Sequence, residues 1–320
     1  MKALVQISRI IVGILFVFSG FVKLVDPIGS QYKFEEYFSE GVLNLEFLIP
    51  YALPFAILLI VSEILLGVMI LIGYKSKFTV WSLFTLTLVF LFLTWYSAYY
   101  NKVTDCGCFG DAIKLSTWET FYKNVILLVL ILLLIFKVTI IKPLFKGSIP
   151  KIITFLSLGA FLFIVQHVLT HLPIIDFRAY AVGKNISEGM SFPDDGSIPP
   201  VHDFMLEDAQ QDLAPILLEK EKVMLVIVND VHKIDKNGIP LIKEVAAKAI
   251  RKGYTVYGVS ASFTDDLILV KEKYKLPFDF LFCDQTTLKT IIRANPGVVV
   301  LNKGTVVQKK NWIDVNELEL

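Results

Sequence analysis

Residues Ala52–Ile72 read ALPFAILLIVSEILLGVMILI, an apolar run with one charge, Glu63, just past its middle. A helix crossing a ~30 Å hydrocarbon core needs about 20 apolar residues. Lipid offers backbone amides no partner outside their own helix, so such a run is a helical span. Four further stretches meet or approach that length: Leu4–Leu24, Phe78–Tyr96, Thr120–Ile141 and Ile152–Leu169. The first continues into Ser19-Gly20-Phe21-Val22-Lys23-Leu24 without a small-x-small cleavage site, so it is expected to remain as a span.

The composition agrees. Of 320 residues 55% are hydrophobic and 19% charged, against about 45–50% and 25% in soluble domains; the mean hydropathy is +0.63. The excess ends near residue 170, after which the chain reads as an ordinary soluble protein. Lys and Arg (31) nearly balance Asp and Glu (30), leaving a net charge of +1. With no basic excess to neutralise phosphates, no nucleic-acid partner is expected. Three cysteines cannot staple a chain of this size, so their positions matter more than their number.

Short-loop cations set orientation. Lys2, Arg9, Lys75, Lys77, Lys137, Lys142, Lys146 and Lys151 fall on one side of the five spans, which is therefore the expected cytoplasmic side. The opposite loops, about 26–50 and 101–118, carry Lys33, Lys102 and Lys114 among several acids. An odd number of spans then places the C-terminal half outside, as an extracytoplasmic domain of a multi-pass protein in a bacterial-type inner membrane. Arg9 and Glu63 are charges inside spans. Measured from the span centres at 1.5 Å per residue, they fall roughly 6 Å apart in depth. That spacing predicts an ion pair locking two helices; the competing reading is a proton or substrate site.

The loop after the third long run reads Asp105-Cys106-Gly107-Cys108-Phe109-Gly110-Asp111. Ser116 and Glu119 then form a Ser-x-x-Glu capping box at the start of the next helix. Two thiols on a short outer loop face an oxidising compartment. A Cys106–Cys108 bridge would be a tight ring, suited to exchange rather than stapling, and Gly107 could supply the backbone angles it demands. Inert thiols on a structural turn are one alternative, and half a metal site is another. His167, His171, His202 and His232 all lie far along the chain, so no metal site is expected.

Arg9 and the Ser19-Gly20-x-x-Lys23 end of the first span, Glu63 in the second, and Cys106-Gly107-Cys108-Phe109-Gly110 before the fourth together resemble the DoxX / MauE group of redox-associated four-helix membrane proteins. The resemblance covers about residues 1–141. It implies Cys106 and Cys108 as the catalytic pair, with Lys23, Arg9, Glu63, Gly107, Phe109 and Gly110 in support. It also implies an electron path from an exported thiol protein or sulfur compound to quinone, with no covalently bound cofactor.

Beyond residue 200 the elements alternate. Strands are expected at Val223–Val228, Tyr254–Val259, Phe280–Phe282, Val298–Leu301 and Val306–Lys309. Helices are expected at Lys236–Lys252, Thr264–Lys275 and Thr286–Arg293, with a short one near Val315–Leu318. This order resembles the thioredoxin fold in its TlpA and peroxiredoxin-like branch. Pro296 stands at that fold's cis-proline position, and Val201–Leu206 looks like its lead-in strand. The stretch after the first strand, Asn229-Asp230-Val231-His232-Lys233-Ile234-Asp235, has no cysteine, so dithiol chemistry is absent there. His232 reads as a solvated histidine and Cys283 as a small buried hydrophobe.

The expected organisation is a four-helix membrane domain (1–141), a cytoplasmic loop and fifth span (142–171), a linker (172–200) and a thioredoxin-like α/β domain (201–320). The function expected first is thiol oxidation at Cys106/Cys108, feeding quinone or serving disulfide maturation of an exported protein. The alternatives are a non-enzymatic scaffold whose cysteine-poor domain binds a partner, and a small transporter using Arg9 and Glu63.

Overall fold

The computed structural model describes residues 1–320 except 104–106, 114, 194–195 and 197. Cys106, Asp105 and Lys114 therefore lie outside the described residues. The chain divides into two compact units, Met1–Leu169 and Thr170–Leu320.

In the first unit, five helices among the described residues are long and apolar enough to cross a membrane. They include α1 (Lys2–Leu24), and they place the N-terminal part of the chain in a lipid bilayer as a multi-pass membrane protein. Next comes α2 (Pro27–Phe38), a short helix in a stretch expected only as loop. Asp26 caps it by accepting from the Gly29 amide at 3.1 Å, and Pro27 occupies its first turn. The other long helices are α3 (Ala52–Ile72), α4 (Ser76–Tyr100), α5 (Thr117–Phe136) and α6 (Ile149–Thr170). The expected box starts α5: Ser116 Oγ accepts from the Glu119 amide at 3.3 Å, and Glu119 accepts from the Ser116 amide at 2.8 Å.

Helix α1 has an apolar exposed stripe (Leu4, Ile7, Ile11, Ile14, Phe18, Phe21) and an inner stripe that holds its polar groups (Ser8, Arg9, Ser19, Lys23). That arrangement fits lipid as solvent: outward apolar groups are solvated by acyl chains, and polar groups must find protein partners. The inner stripe packs on α3 along a seam of glycines. A Cβ on Gly67 would lie 2.8 Å from the Val17 backbone N, and one on Gly20 would lie 2.8 Å from the Ile64 N. Val12 and Phe16 continue the core with Met69, Ile70, Leu83 and Ile131. Val165 of α6 packs in a smaller cluster with Leu24, Ile60 and Ile64.

The second unit is built on one five-stranded mixed sheet. Its strands are β1 (Val223–Val228), β2 (Thr255–Ser260), β3 (Phe280–Phe282), β4 (Gly297–Asn302) and β5 (Thr305–Asn311), in spatial order β3-β2-β1-β4-β5. Central β1 runs parallel to β2 and antiparallel to β4. It is buried along its whole length because both faces are covered. One face carries Leu225, Ile227, Phe204 and Leu217. The other carries Met224, Val226 and helix α9 (Gly238–Arg251) through Ile242 and Ala246. Helices α7 (Ile186–Met190), α8 (Ala214–Glu219), α10 (Thr264–Tyr274) and α11 (Gln285–Ile291) complete the unit.

Three expectations are corrected here. The 172–200 stretch, expected as a linker, is built into this unit among its described residues. Tyr180 and Ile186 belong to the sheet core, and the Gly183 amide donates to the Val306 carbonyl at 2.8 Å. Polar composition hid two apolar anchors. Val201–Leu206 is not a strand. Its side chains Val201, Phe204 and Leu206 are buried, but only Glu207 pairs with the sheet edge, at Phe282. The expected short helix near Val315–Leu318 is a 3-10 turn at Trp312–Glu317.

Candidate functional site

The described part of the cysteine loop rests on the end of α1. Gly107 (φ 63°) and Gly110 (φ 50°) both take left-handed backbone angles. A Cβ on Gly110 would meet Val22 Cγ1 at 3.0 Å, and one on Gly107 would meet Lys33 Cγ at 3.1 Å. Both positions therefore need glycine, for backbone conformation and for space. Phe109 is buried, its ring centroid 5.5 Å from that of Phe18, with the Lys123 ammonium 4.4 Å above its face. Cys108 is half-buried.

Beneath the loop lies a connected polar group. Ser19 Oγ donates to the Cys108 carbonyl at 2.7 Å. Lys23, one turn further along α1, donates to Ser19 Oγ at 2.7 Å and to the two Glu63 carboxylate oxygens at 3.2 and 3.0 Å. Lys23 is 6% exposed and Glu63 2%, so the pair is cut off from solvent and each charge depends on the other.

The expected Arg9–Glu63 pair does not form. Arg9 Nε donates to the Ile70 carbonyl at 2.7 Å, and its Nη atoms donate to the carbonyls of Leu71 (2.6 Å) and Lys142 (3.2 Å) and to Gln6 (3.2 Å). It caps the carbonyl end of α3, where a cation suits both the orphan acceptors and the helix dipole. An offset of ~6 Å in depth would hold only if the span centres coincided. The glycine seam instead sets Gly20 against Ile64 and Gly67 against Val17. In that register Glu63 faces the Lys23 turn, and Arg9 lies about three turns, ~18 Å, away along the axis. With Arg9 and Glu63 in separate networks, the two-residue transporter site is not assembled.

In the second unit the expected site positions lie apart from any described thiol pair. The stretch after β1 makes a 3-10 turn at Val231–Lys233. It is pinned by Asn295, whose Nδ2 donates to the Asp230 carbonyl at 2.8 Å and whose carbonyl accepts from the Asp235 amide at 3.0 Å. The Asn295–Pro296 bond is cis. His232 is largely exposed, its Nε2 3.3 Å from Asp266. Cys283 is 1% exposed, and burial, with the neighbouring Asp284 charge, pushes its thiol up to about 12. A thiol so placed stays protonated and is a poor nucleophile.

Sequence reasoning named Lys23 and Glu63 but not their pairing. It quoted Ser19 only as part of a motif, counted Lys33 only as an outer-loop cation, and passed over Lys123. The one available signal was the four-residue spacing of Ser19 and Lys23, which puts both on one helix face.

No curated protein and no solved structure matches the chain. Residues 1–137, which hold α1 to α5 and this whole polar group, match the family model described as methylamine utilisation protein MauE, so the N-terminal part of the chain is MauE-like.

Proposed function

We propose that the chain is a membrane thiol oxidoreductase whose reactive groups are Cys106 and Cys108. The observation that carries this reading is the seat of Cys108. A half-buried thiol sits on a glycine-shaped turn whose backbone is hydrogen-bonded, through Ser19, to a solvent-excluded Lys23–Glu63 pair. Intramembrane charges are costly and are kept for a purpose. Here they lie under the one loop that carries two cysteines. In the reaction, an exported dithiol is oxidised by the Cys106–Cys108 disulfide in thiol–disulfide exchange. Reoxidation of the loop thiols releases two electrons and two protons to quinone, a diffusing co-substrate, which leaves as quinol. The loop faces the extracytoplasmic side, as the lysine bias of the opposite loops requires.

The second unit, read as thioredoxin-like from its strand order, lacks a described reactive thiol and serves to recognise the exported client. A specific observation also favours a second reading, a non-enzymatic scaffold. The turn at Val231–Lys233 holds no cysteine, and Cys283 is sealed in the core.

Thiol trapping separates the two. In native membranes, Cys106 and Cys108 are expected to be blocked to an alkylating reagent until dithiothreitol is added, and to become blocked again after its removal. Thiols that stay alkylatable throughout would leave the scaffold reading. A topology reporter fused after Leu320 is expected to be active only outside the cytoplasm.

A further inference from the structure

We infer that Ser19 is a positioning residue for Cys108, transmitting the state of the Lys23–Glu63 pair to the cysteine loop. The inference rests on the redox reading above and adds the part that couples the membrane interior to the thiol. The hydrogen bonds assign its direction. A lysine ammonium has only donors, so Ser19 Oγ must accept from Lys23 Nζ. The single hydroxyl proton of Ser19 is then left for its other close partner, the Cys108 carbonyl at 2.7 Å. The network diverges from the ammonium, which donates to the Glu63 carboxylate on one side and to Ser19 on the other, and Ser19 in turn donates to the loop carbonyl. Each member polarises the next in a site that excludes water.

The surroundings hold this chain in place. Gly20, adjacent to Ser19, lets α1 approach α3 until a Cβ would strike Ile64, which brings Lys23 level with Glu63. Gly110 lets the loop descend onto Val22, and the Phe18–Phe109 contact closes the side of the turn. Cys108 is thereby presented by its own main chain, which leaves the thiol itself for chemistry. Replacing Lys23 removes the donor that Ser19 accepts from, and neutralising Glu63 changes how strongly that ammonium donates to it; either alters how firmly the Ser19 proton holds the loop.

The test measures how fast the Cys106–Cys108 thiols reoxidise in native membranes after dithiothreitol is washed out. Loss of one polarised hydrogen bond predicts that Ser19→Ala slows reoxidation about fivefold to tenfold, while Ser19→Thr, which keeps the hydroxyl, stays within about twofold. Replacing the pair as a unit (Lys23→Met with Glu63→Gln) is expected to slow a Ser19 protein by a similar factor, and to add little in a Ser19→Ala background. Wild-type rates in Ser19→Ala, or slowing factors that simply multiply, would overturn the inference. A second measurement stands apart from turnover. In the full chain carrying Cys106→Ser and Cys283→Ser, Ser19→Ala is expected to change the alkylation rate of Cys108 at least about threefold. If the wild type never reoxidises but this rate still changes, the redox reading falls and the positioning role stands. If reoxidation proceeds and the rate is unchanged, only the positioning role falls.

Discussion

Both units bury charge, and the two clusters are wired differently. In the membrane unit Lys23 and Glu63 form a buried pair whose hydrogen bonds among the described residues lead outward through Ser19 to the cysteine loop. In the sheet unit Asp176 receives both Arg178, at 2.7 and 2.9 Å, and Lys309, at 2.7 Å. Arg178 also donates to the Thr290 carbonyl and Lys309 to the Tyr180 carbonyl, each at 3.1 Å. Among the described residues the outward bonds of that cluster end on main chain, and no described thiol is attached to it. The difference lies in where the remaining hydrogen bonds lead: to structural main chain in one unit, and to the loop that carries Cys108 in the other.

The largest expected effect tests the pairing in the membrane unit. Glu63→Gln leaves a buried ammonium unpaired and should cost about 3–5 kcal/mol, read as loss of stability to denaturant in detergent. Adding Lys23→Met should recover much of the loss, whereas adding Arg9→Gln should not, since Arg9 belongs to the α3 end. Recovery by Arg9→Gln instead of Lys23→Met would redraw both networks.

Next in size is Asp176→Asn, which strands two cations and should destabilise the sheet unit by about 3 kcal/mol at neutral pH. Limited proteolysis within 170–320 would report it. Burial alone would raise the Asp176 carboxyl, but Arg178 and Lys309 together hold it below its ordinary value. A lowered carboxyl contributes fully above the unfolded value of about 3.9, and its contribution is lost as pH falls through the folded value. The gap between wild type and Asp176→Asn should therefore close in acid. At the alkaline end, burial and then the Arg178 charge bring Lys309 down to about 8. From there to the unfolded value of about 10.4 the unfolded chain holds more protons, so wild-type stability should rise with pH across that window. Lys309→Met should flatten the rise.

The smallest effect concerns the thiols. Cys283→Ser should leave loop redox cycling unchanged and cost about 1–2 kcal/mol for a hydroxyl placed in an apolar core. Native Cys283 should resist alkylation until the unit unfolds. By contrast Cys108→Ser should abolish cycling outright. Loss of cycling in Cys283→Ser would move the chemistry into the sheet unit.

The spans were legible because lipid length and backbone satisfaction leave little choice, and α3 matches its expected range Ala52–Ile72. Strands β1 and β3 match their expected bounds as well, each a short apolar run between turn signals. What failed was the relation between elements. Helix register depends on which surfaces can approach, and here that is set by Gly13, Gly20 and Gly67, whose role no single-span reading reveals. Helix α2 carried an overlooked signal, Asp26 followed by Pro27, an N-cap and first-turn pair. Tyr180 and Ile186 were masked by polar neighbours, because a core anchor need not sit in an apolar run.

The sheet of the second unit offers little open margin. On one side Glu207 exchanges both main-chain hydrogen bonds with Phe282 of β3, at 2.9 and 2.8 Å. On the other, Gly183, Lys184 and Ile186 bond along Gly304–Val306 at the start of β5. At those positions a newcomer in extended form would have to peel a cover segment away before it could join the ladder. The amides open to a visiting strand are correspondingly fewer at both margins. The same covers shorten the stretch over which two copies could stitch their sheets together.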